Sequence, residues 1–197
     1  MSELIRYRFV PDETYRFTHE IKQIITWPEH PPLYDQLCVE GSLTVLERLP
    51  DKSVRVRLIG HAVEQPLYAP ALPDAFAEYH IGRRGDLIKA DPVAPLLPYI
   101  TFQVEPTEVK KAWKSVENIL DRPVAMSHTL ARIEMLDGER VAYLVTEGHA
   151  AGNPAIDYSG ICWFGLARGR SLRRRVVITQ RFDGFATLTM MLEETSE

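Results

Sequence analysis

Cysteine is nearly missing from this chain of 197 residues: Cys38 and Cys162 are the only two, and they lie far apart. Two distant cysteines form neither a C-x-x-C redox pair nor a zinc ligand set. They read as buried, reduced thiols. Long apolar runs are missing too, and nothing approaches the roughly 18 residues of a membrane-spanning helix. The opening MSELIRYRFV has no basic start followed by an apolar stretch, so it reads as lacking a secretory signal. That places the chain in the cytoplasm as written, or in the envelope if it is a mature fragment. Catalytic signatures are absent: no G-x-S-x-G, H-E-x-x-H, G-x-x-x-x-G-K-[ST], C-x-x-C or G-x-G-x-x-G occurs. The six histidines share no metal-ligand spacing. No cofactor and no metal are expected, and the chain reads as a non-enzyme. Nor is there an excess of positive charge, since 23 Lys and Arg face 27 Asp and Glu for a net charge of −4. That balance disfavours nucleic acid as the main partner, while leaving room for a local basic patch.

The rest is the composition of an ordinary globular protein, 45% hydrophobic and 25% charged. Residues 1–197 are read as one domain. Period-2 alternation dominates. Tyr15, Phe17, His19, Ile21, Gln23, Ile25 and Trp27 share one face of a long strand. Ile5, Tyr7 and Phe9 alternate before it, across a "VPDE" turn, and predict an opening hairpin. After a Pro-rich loop at 26–35, Leu37–Val45 and Val54–Leu58 predict a second hairpin around "LPDKS". Residues 75–81 and 87–91 predict a third around "GRRGD". A helical stripe then follows: Val109, Ala112, Trp113, Val116, Ile119 and Leu120 predict one helix at 107–120. Strands resume at 124–136 and 140–148, joined by Asp137-Gly138. A long loop at 148–160 precedes the last three strands. The fold class is therefore mainly β (α+β at most): an antiparallel meander of about ten strands, curled into a half-barrel or barrel with the helix on its open side.

Three stretches carry a resemblance. They are "LIRYRFVPDETYRFTHEIKQ" at 4–23, "HIGRRGDLIKAD" at 80–91 and "CWFGLARGRSLRRRVVIT" at 162–179. Together they resemble an uncharacterised bacterial family of lipoprotein-like β-proteins, a domain of unknown function. In outline that family is similar to the LolA/LppX-type lipoprotein carriers, whose half-barrel has helices over its open face. The resemblance implies handling of a lipid or other apolar ligand, or a structural role in the envelope.

The candidate residues follow from the alternation. His19 and His128 each lie on the apolar face of a strand, as hydrogen-bonded core histidines or, if they meet inside the barrel, as an acid–base or metal pair. Gln23, on the face of His19, orients a ligand or points to solvent. Trp113 reads as core or lid, and "PLLPYITF" at 95–102, with Tyr99 and Phe102, reads as a lid or as packing of the mouth. Trp163 in the apolar run "ICWFGLA" is a further candidate lining residue. Six arginines crowd residues 168–181. Alternation puts Arg173, Arg175 and Arg181 on the solvent face and Arg168 and Arg170 in a turn. Arg174 alone falls on the apolar side, with Leu172 and Val176. It either reaches water at a strand end or needs a carboxylate or an anionic head group. The solvent-side arginines have no interleaved aromatics, which argues against a nucleic-acid face. The function expected is a non-enzymatic binder of a hydrophobic or amphipathic ligand. The alternative is an assembly module that docks a partner or a second copy through sheet edges and the Arg-rich hairpin.

Overall fold

The computed structural model describes residues 2–64, 75–91, 100–103, 105, 107–120 and 122–197. Thirteen strands follow one another: β1 (Ser2–Glu3), β2 (Thr14–Trp27), β3 (His30–Arg48), β4 (Val54–Glu64), β5 (Ala75–Ile81), β6 (Leu87–Asp91), β7 (Thr107–Glu108), β8 (Ala112–Ile119), β9 (Arg122–Leu136), β10 (Glu139–Ala150), β11 (Ala155–Gly165), β12 (Arg170–Phe182) and β13 (Ala186–Ser196). Eleven of them form one antiparallel sheet in the order β6-β5-β4-β3-β2-β13-β12-β11-β10-β9-β8, which does not close. Two meanders, β2–β6 and β8–β13, are thus joined along β2 and β13. The short β1 and β7 pair separately.

One apolar cluster joins Val56 and Tyr79 of the first meander to Leu130, Leu144 and Phe164 of the second. A flat sheet would hold these residues far apart, so the sheet is bent and its concave face is the core. A second cluster, around Ile21, Val176, Ile178 and Leu192, occupies the other end of that face.

The expected hairpins are present where turn chemistry is strong. β3 and β4 pair Leu43 with Leu58 and Val45 with Val56. Asp137 and Gly138 both adopt positive φ, at 49° and 81°, as a two-residue turn of this hand requires. Three expectations are corrected. The segment at 107–120 is not a helix; it holds β7 and β8, and no helix occurs among the described residues. Lys110 and Leu120 have φ of 70° and 49°, which no α-helix accommodates. Ser115 and Glu117 face inward with Trp113 and Ile119, while Val116 is 69% exposed. Two polar residues inside and an apolar one outside erase the alternation and imitate a helical stripe.

Residues 4–10 are the second correction. They do turn at Asp12, but β2 already pairs with β3 on one side and β13 on the other, so it has no free edge for them. They run instead as an extended strap with Ile5, Tyr7 and Phe9 buried in the concave face. Tyr7 packs on Phe9, Phe102 and Phe164, and its hydroxyl accepts from the Ile100 amide at 3.1 Å. Third, two expected loops shrink. Pro31 and Pro32 lie within β3, beyond the end of its pairing with β4, where a missing N–H costs no ladder bond. The loop at 148–160 reduces to residues 151–154, because β10 and β11 stay paired as far as Ala150 and Ile156.

No helix among the described residues is long and apolar enough to cross a membrane. Both cysteines are free, Cys162 buried and Cys38 half-buried.

Candidate functional site

A band of polar side chains crosses the concave face between the two apolar clusters. It follows from the ladder: His19 of β2 lies opposite Glu194 of β13, Glu194 opposite Arg174 of β12, and Arg174 opposite Cys162 of β11. A bulge in β12 opposite Trp163 and Phe164 adds Ser171 to this band. This corrects the simple alternation, which gave the position to Leu172. The extra residue flips the phase, so Ser171 lines the trough with Arg174.

His19 Nε2 and Glu194 Oε2 are 3.0 Å apart. Burial favours a neutral Glu194, but the His19 hydrogen bond and the Arg174 charge outweigh it and bring the carboxyl to about 2. Glu194 is therefore ionised at neutral pH. Arg174 is 5% exposed. Burial works against its charge, yet Tyr158 and Glu194 hold its pKa above the ordinary arginine value. Its one hydrogen bond among the described residues runs from Nη2 to the Tyr158 hydroxyl at 3.4 Å, and no carboxylate oxygen comes within 4.0 Å. Tyr158 reaches it by lying over Gly160, where a Cβ would meet the ring at 3.1 Å and the hydroxyl at 3.3 Å.

This group closes one end of an open pocket with a cavity of about 110 Å³. Tyr7, Phe9, Tyr15, Phe17, Leu43 and Leu58 supply its apolar wall. Phe17 folds over Gly41, where a Cβ would stand 2.4 Å from the ring and from the Ile59 carbonyl oxygen. Arg8, Arg16 and Arg170 also line the pocket, the first two exposed. Arg170 lies 4.3 Å from the centre of the Tyr15 ring, and its buried Nε has no partner among the described residues.

A second polar group surrounds His128, which is 1% exposed. Its Nε2 is 2.8 Å from Ser115 Oγ and its Nδ1 is 3.0 Å from Thr146 Oγ1. The Ser115 hydroxyl donates to Glu117 at 2.6 Å. That uses the serine's one proton, so His128 donates through Nε2 and accepts from Thr146 through Nδ1. Burial, reinforced by Arg174, lowers His128 to about 4. The imidazole is thus neutral, and its 3.9 Å approach to Glu117 is not an ion pair. Serine, histidine and glutamate are the residue types of a hydrolytic triad, but the connections differ. The carboxylate sits on the serine instead of orienting the histidine, and the group is buried beneath Trp113, stacked 5.2 Å away. Among the described residues, no cluster of three or more His, Cys, Asp or Glu is placed to hold a metal.

The residues singled out from sequence therefore separate. Arg174 and His19 meet in the pocket. His128 has its own partners, and the two histidines do not pair with each other. Gln23 faces the second cluster opposite Met190. Trp113 and Phe102 are core, their rings 6.1 Å apart. Trp163 is corrected: it stands on the opposite face, against Tyr143 and Arg173, because Cys162 and Phe164 take the inner positions. Tyr99 and the rest of 95–99 lie outside the described residues. The reading missed Glu194, although its phase with Met190 and Leu192 placed a charge on an apolar face. It also missed Ser171, for which no signal existed without the bulge.

The arginine run is resolved one residue at a time. Arg173 and Arg175 share Glu193, Arg181 pairs with Asp157, and Arg168 pairs with Glu139. The solvent-face arginines of the run are engaged by acids within the fold, and Arg170 and Arg174 line the pocket.

A comparison with protein-family models finds no match, and no curated protein matches either. Solved structures do match, among them two of the kinds that the sequence resembles. One is a DUF1329 family protein from Desulfovibrio piger, 12% identical over 93% of this chain and 83% of that one, at a TM-score of 0.20. Another is a LolA superfamily protein from Nitrosomonas europaea, 8% identical over 95% and 87%, also at 0.20. Overlays at that score carry no argument about shape. A lipovitellin structure, described by its lipid–protein interactions, matches at a TM-score of 0.61 with 9% identity. It covers 96% of this chain and 25% of its own, so the chain spans about a quarter of its length. Over nearly all its residues, the chain is similar in fold to part of lipovitellin.

Proposed function

We propose that this chain is a non-enzymatic binding protein that holds a hydrophobic or amphipathic ligand in the trough of its bent sheet. The observation that carries this is the open pocket, with a cavity of about 110 Å³, that has aromatic and aliphatic walls and arginines around it. That lining suits the apolar part of a small molecule, the rest of which extends along the open trough. The fold similarity to a lipovitellin structure concerned with lipid adds to this reading. Native mass spectrometry of the purified chain tests it, together with titration of an environment-sensitive hydrophobic dye. The expected result is a mass increment that organic extraction removes, and dye fluorescence that rises on binding to the extracted protein. A clean apo mass with no dye binding overturns it. The cytoplasmic and envelope placements imply different native ligands, and fractionation of cells making the full-length protein separates them.

The assembly reading has its own observation. Among the described residues β6 and β8 are the edges of the main sheet, and Ile88 and Val116 on them are 53% and 69% exposed. Free edges with apolar side chains invite strand pairing with a second copy. Size exclusion with light scattering tests this: a dimer that Val116→Lys dissociates supports it, and a monomer at every concentration overturns it.

A further inference from the structure

We propose that the ligand is a monoanionic acyl amphipath whose head group binds the Arg174 guanidinium at the inner end of the trough, its chain lying along the aromatic wall. This rests on the binding reading above and adds the ligand's class and its orientation. Arg174 is 5% exposed, yet it lines the pocket. A guanidinium offers five N–H donors. Here they meet one hydroxyl, at 3.4 Å, among the described residues. Glu194, the carboxylate opposite it across the ladder, is engaged by His19 at 3.0 Å. No nitrogen of Arg174 is among the fully buried atoms that lack a partner, so its remaining donors open on the pocket it lines. An arriving anion engages them, because the planar fork holds a carboxylate or a phosphodiester through two parallel bonds.

The number of charges follows from the neighbours. Glu194 shares the site and repels a second negative charge, which selects a singly charged head over a phosphomonoester. The chain's path follows from the wall. Tyr15, Phe17, Leu43 and Leu58 lie along the same pocket with no further acid among its lining residues. Exposed Arg8 and Arg16 give the pocket a positive entrance that draws anions in.

The test titrates the delipidated full chain with oleate, methyl oleate and dioleoylphosphatidylglycerol by calorimetry. It is run at about 0.15 M and roughly 0.5 M salt, where screening lengths differ. One or both of the anionic ligands should bind at least about tenfold more tightly than the methyl ester at both salts. Which of the two binds identifies a carboxylate or a phosphodiester head. Arg174→Met should bring the anion and ester affinities together while methyl ester binding persists. If that variant does not fold, Arg174→Lys, which keeps the charge and loses the fork, should still shrink the preference. Equal binding of oleate, phosphatidylglycerol and ester by the unmodified chain overturns the inference and leaves the binding reading intact. A preference that vanishes at high salt assigns it to the exposed arginines and overturns the role of Arg174. Binding of none of the three overturns both.

Discussion

His128 shows how one buried side chain sets a response to acid. Its pKa in the fold is about 4, against 6.5 for a free imidazole. Between those values the unfolded chain holds a proton that the folded chain refuses. The contribution of His128 to stability is therefore complete above pH 6.5 and falls as pH drops toward 4, by about 1.4 kcal/mol per pH unit once below 6.5. Glu194 acts lower down. Its folded value of about 2 lies below the ordinary 4.5, so its contribution is present above pH 4.5 and is lost as pH falls toward 2. The two windows separate the residues. Urea unfolding should show a loss of about 2 kcal/mol between pH 7 and pH 5 in the unmodified chain. His128→Asn, which keeps a donor and an acceptor for Ser115 and Thr146, should lose far less over the same interval. Parallel pH dependences in the two proteins would remove His128 as the cause. Gly41 is a second single-residue test. A Cβ there would lie 2.4 Å from both the Phe17 ring and a backbone oxygen. Gly41→Ala should cost about 1–3 kcal/mol by overpacking and push Phe17 into the trough, weakening dye binding.

At the scale of elements, strap and strand differ in what holds them. The strap at 4–10 is held by the backbone bond from Arg8 N to the Gly169 carbonyl at 3.0 Å and by ring packing. Tyr7 meets three aromatic rings at 5.2–5.4 Å. Tyr7→Ala should destabilise by about 3–5 kcal/mol and expose residues 4–10 to proteases well before the sheet. Tyr7→Phe, which keeps the ring and removes the acceptor of the Ile100 amide, should cost about 1 kcal/mol. Limited proteolysis of both variants, read by mass, distinguishes ring packing from the hydrogen bond. The strap also marks where the sequence stops being legible. Alternation at Ile5, Tyr7 and Phe9 says that one side is buried, not whether the partner is a strand or a cavity. β8 fails for the reverse reason, since Ser115 and Glu117 serve His128 and so sit inward. Arg174 was legible because a lone charge on an apolar phase survives any pairing. Trp163 was not, because in "ICWFG" both phases are apolar and only the register chooses between them.

For the whole molecule, the decisive join is β2 against β13. It pairs residues such as His19 and Glu194 from opposite ends of the chain, and it carries half of the site with it. No hairpin supplies that pairing, and no local pattern in the sequence announces it, so the closure of two meanders into one sheet was not readable from either. Loop closure over nearly the full chain costs entropy before its contacts form, which makes folding slow. Ile21 and Leu192 face each other across the join and are 3% and 6% exposed. Leu192→Ala should cost about 2–5 kcal/mol. If the join forms after the transition state, that loss appears mainly as faster unfolding, and stopped-flow urea kinetics read the partition directly. Leu43→Ala, within the β3–β4 hairpin, is the control, and it should slow refolding more than Leu192→Ala does. The reverse order would mean that the long-range join, and not the hairpins, nucleates the sheet. The trough would then be built before its walls.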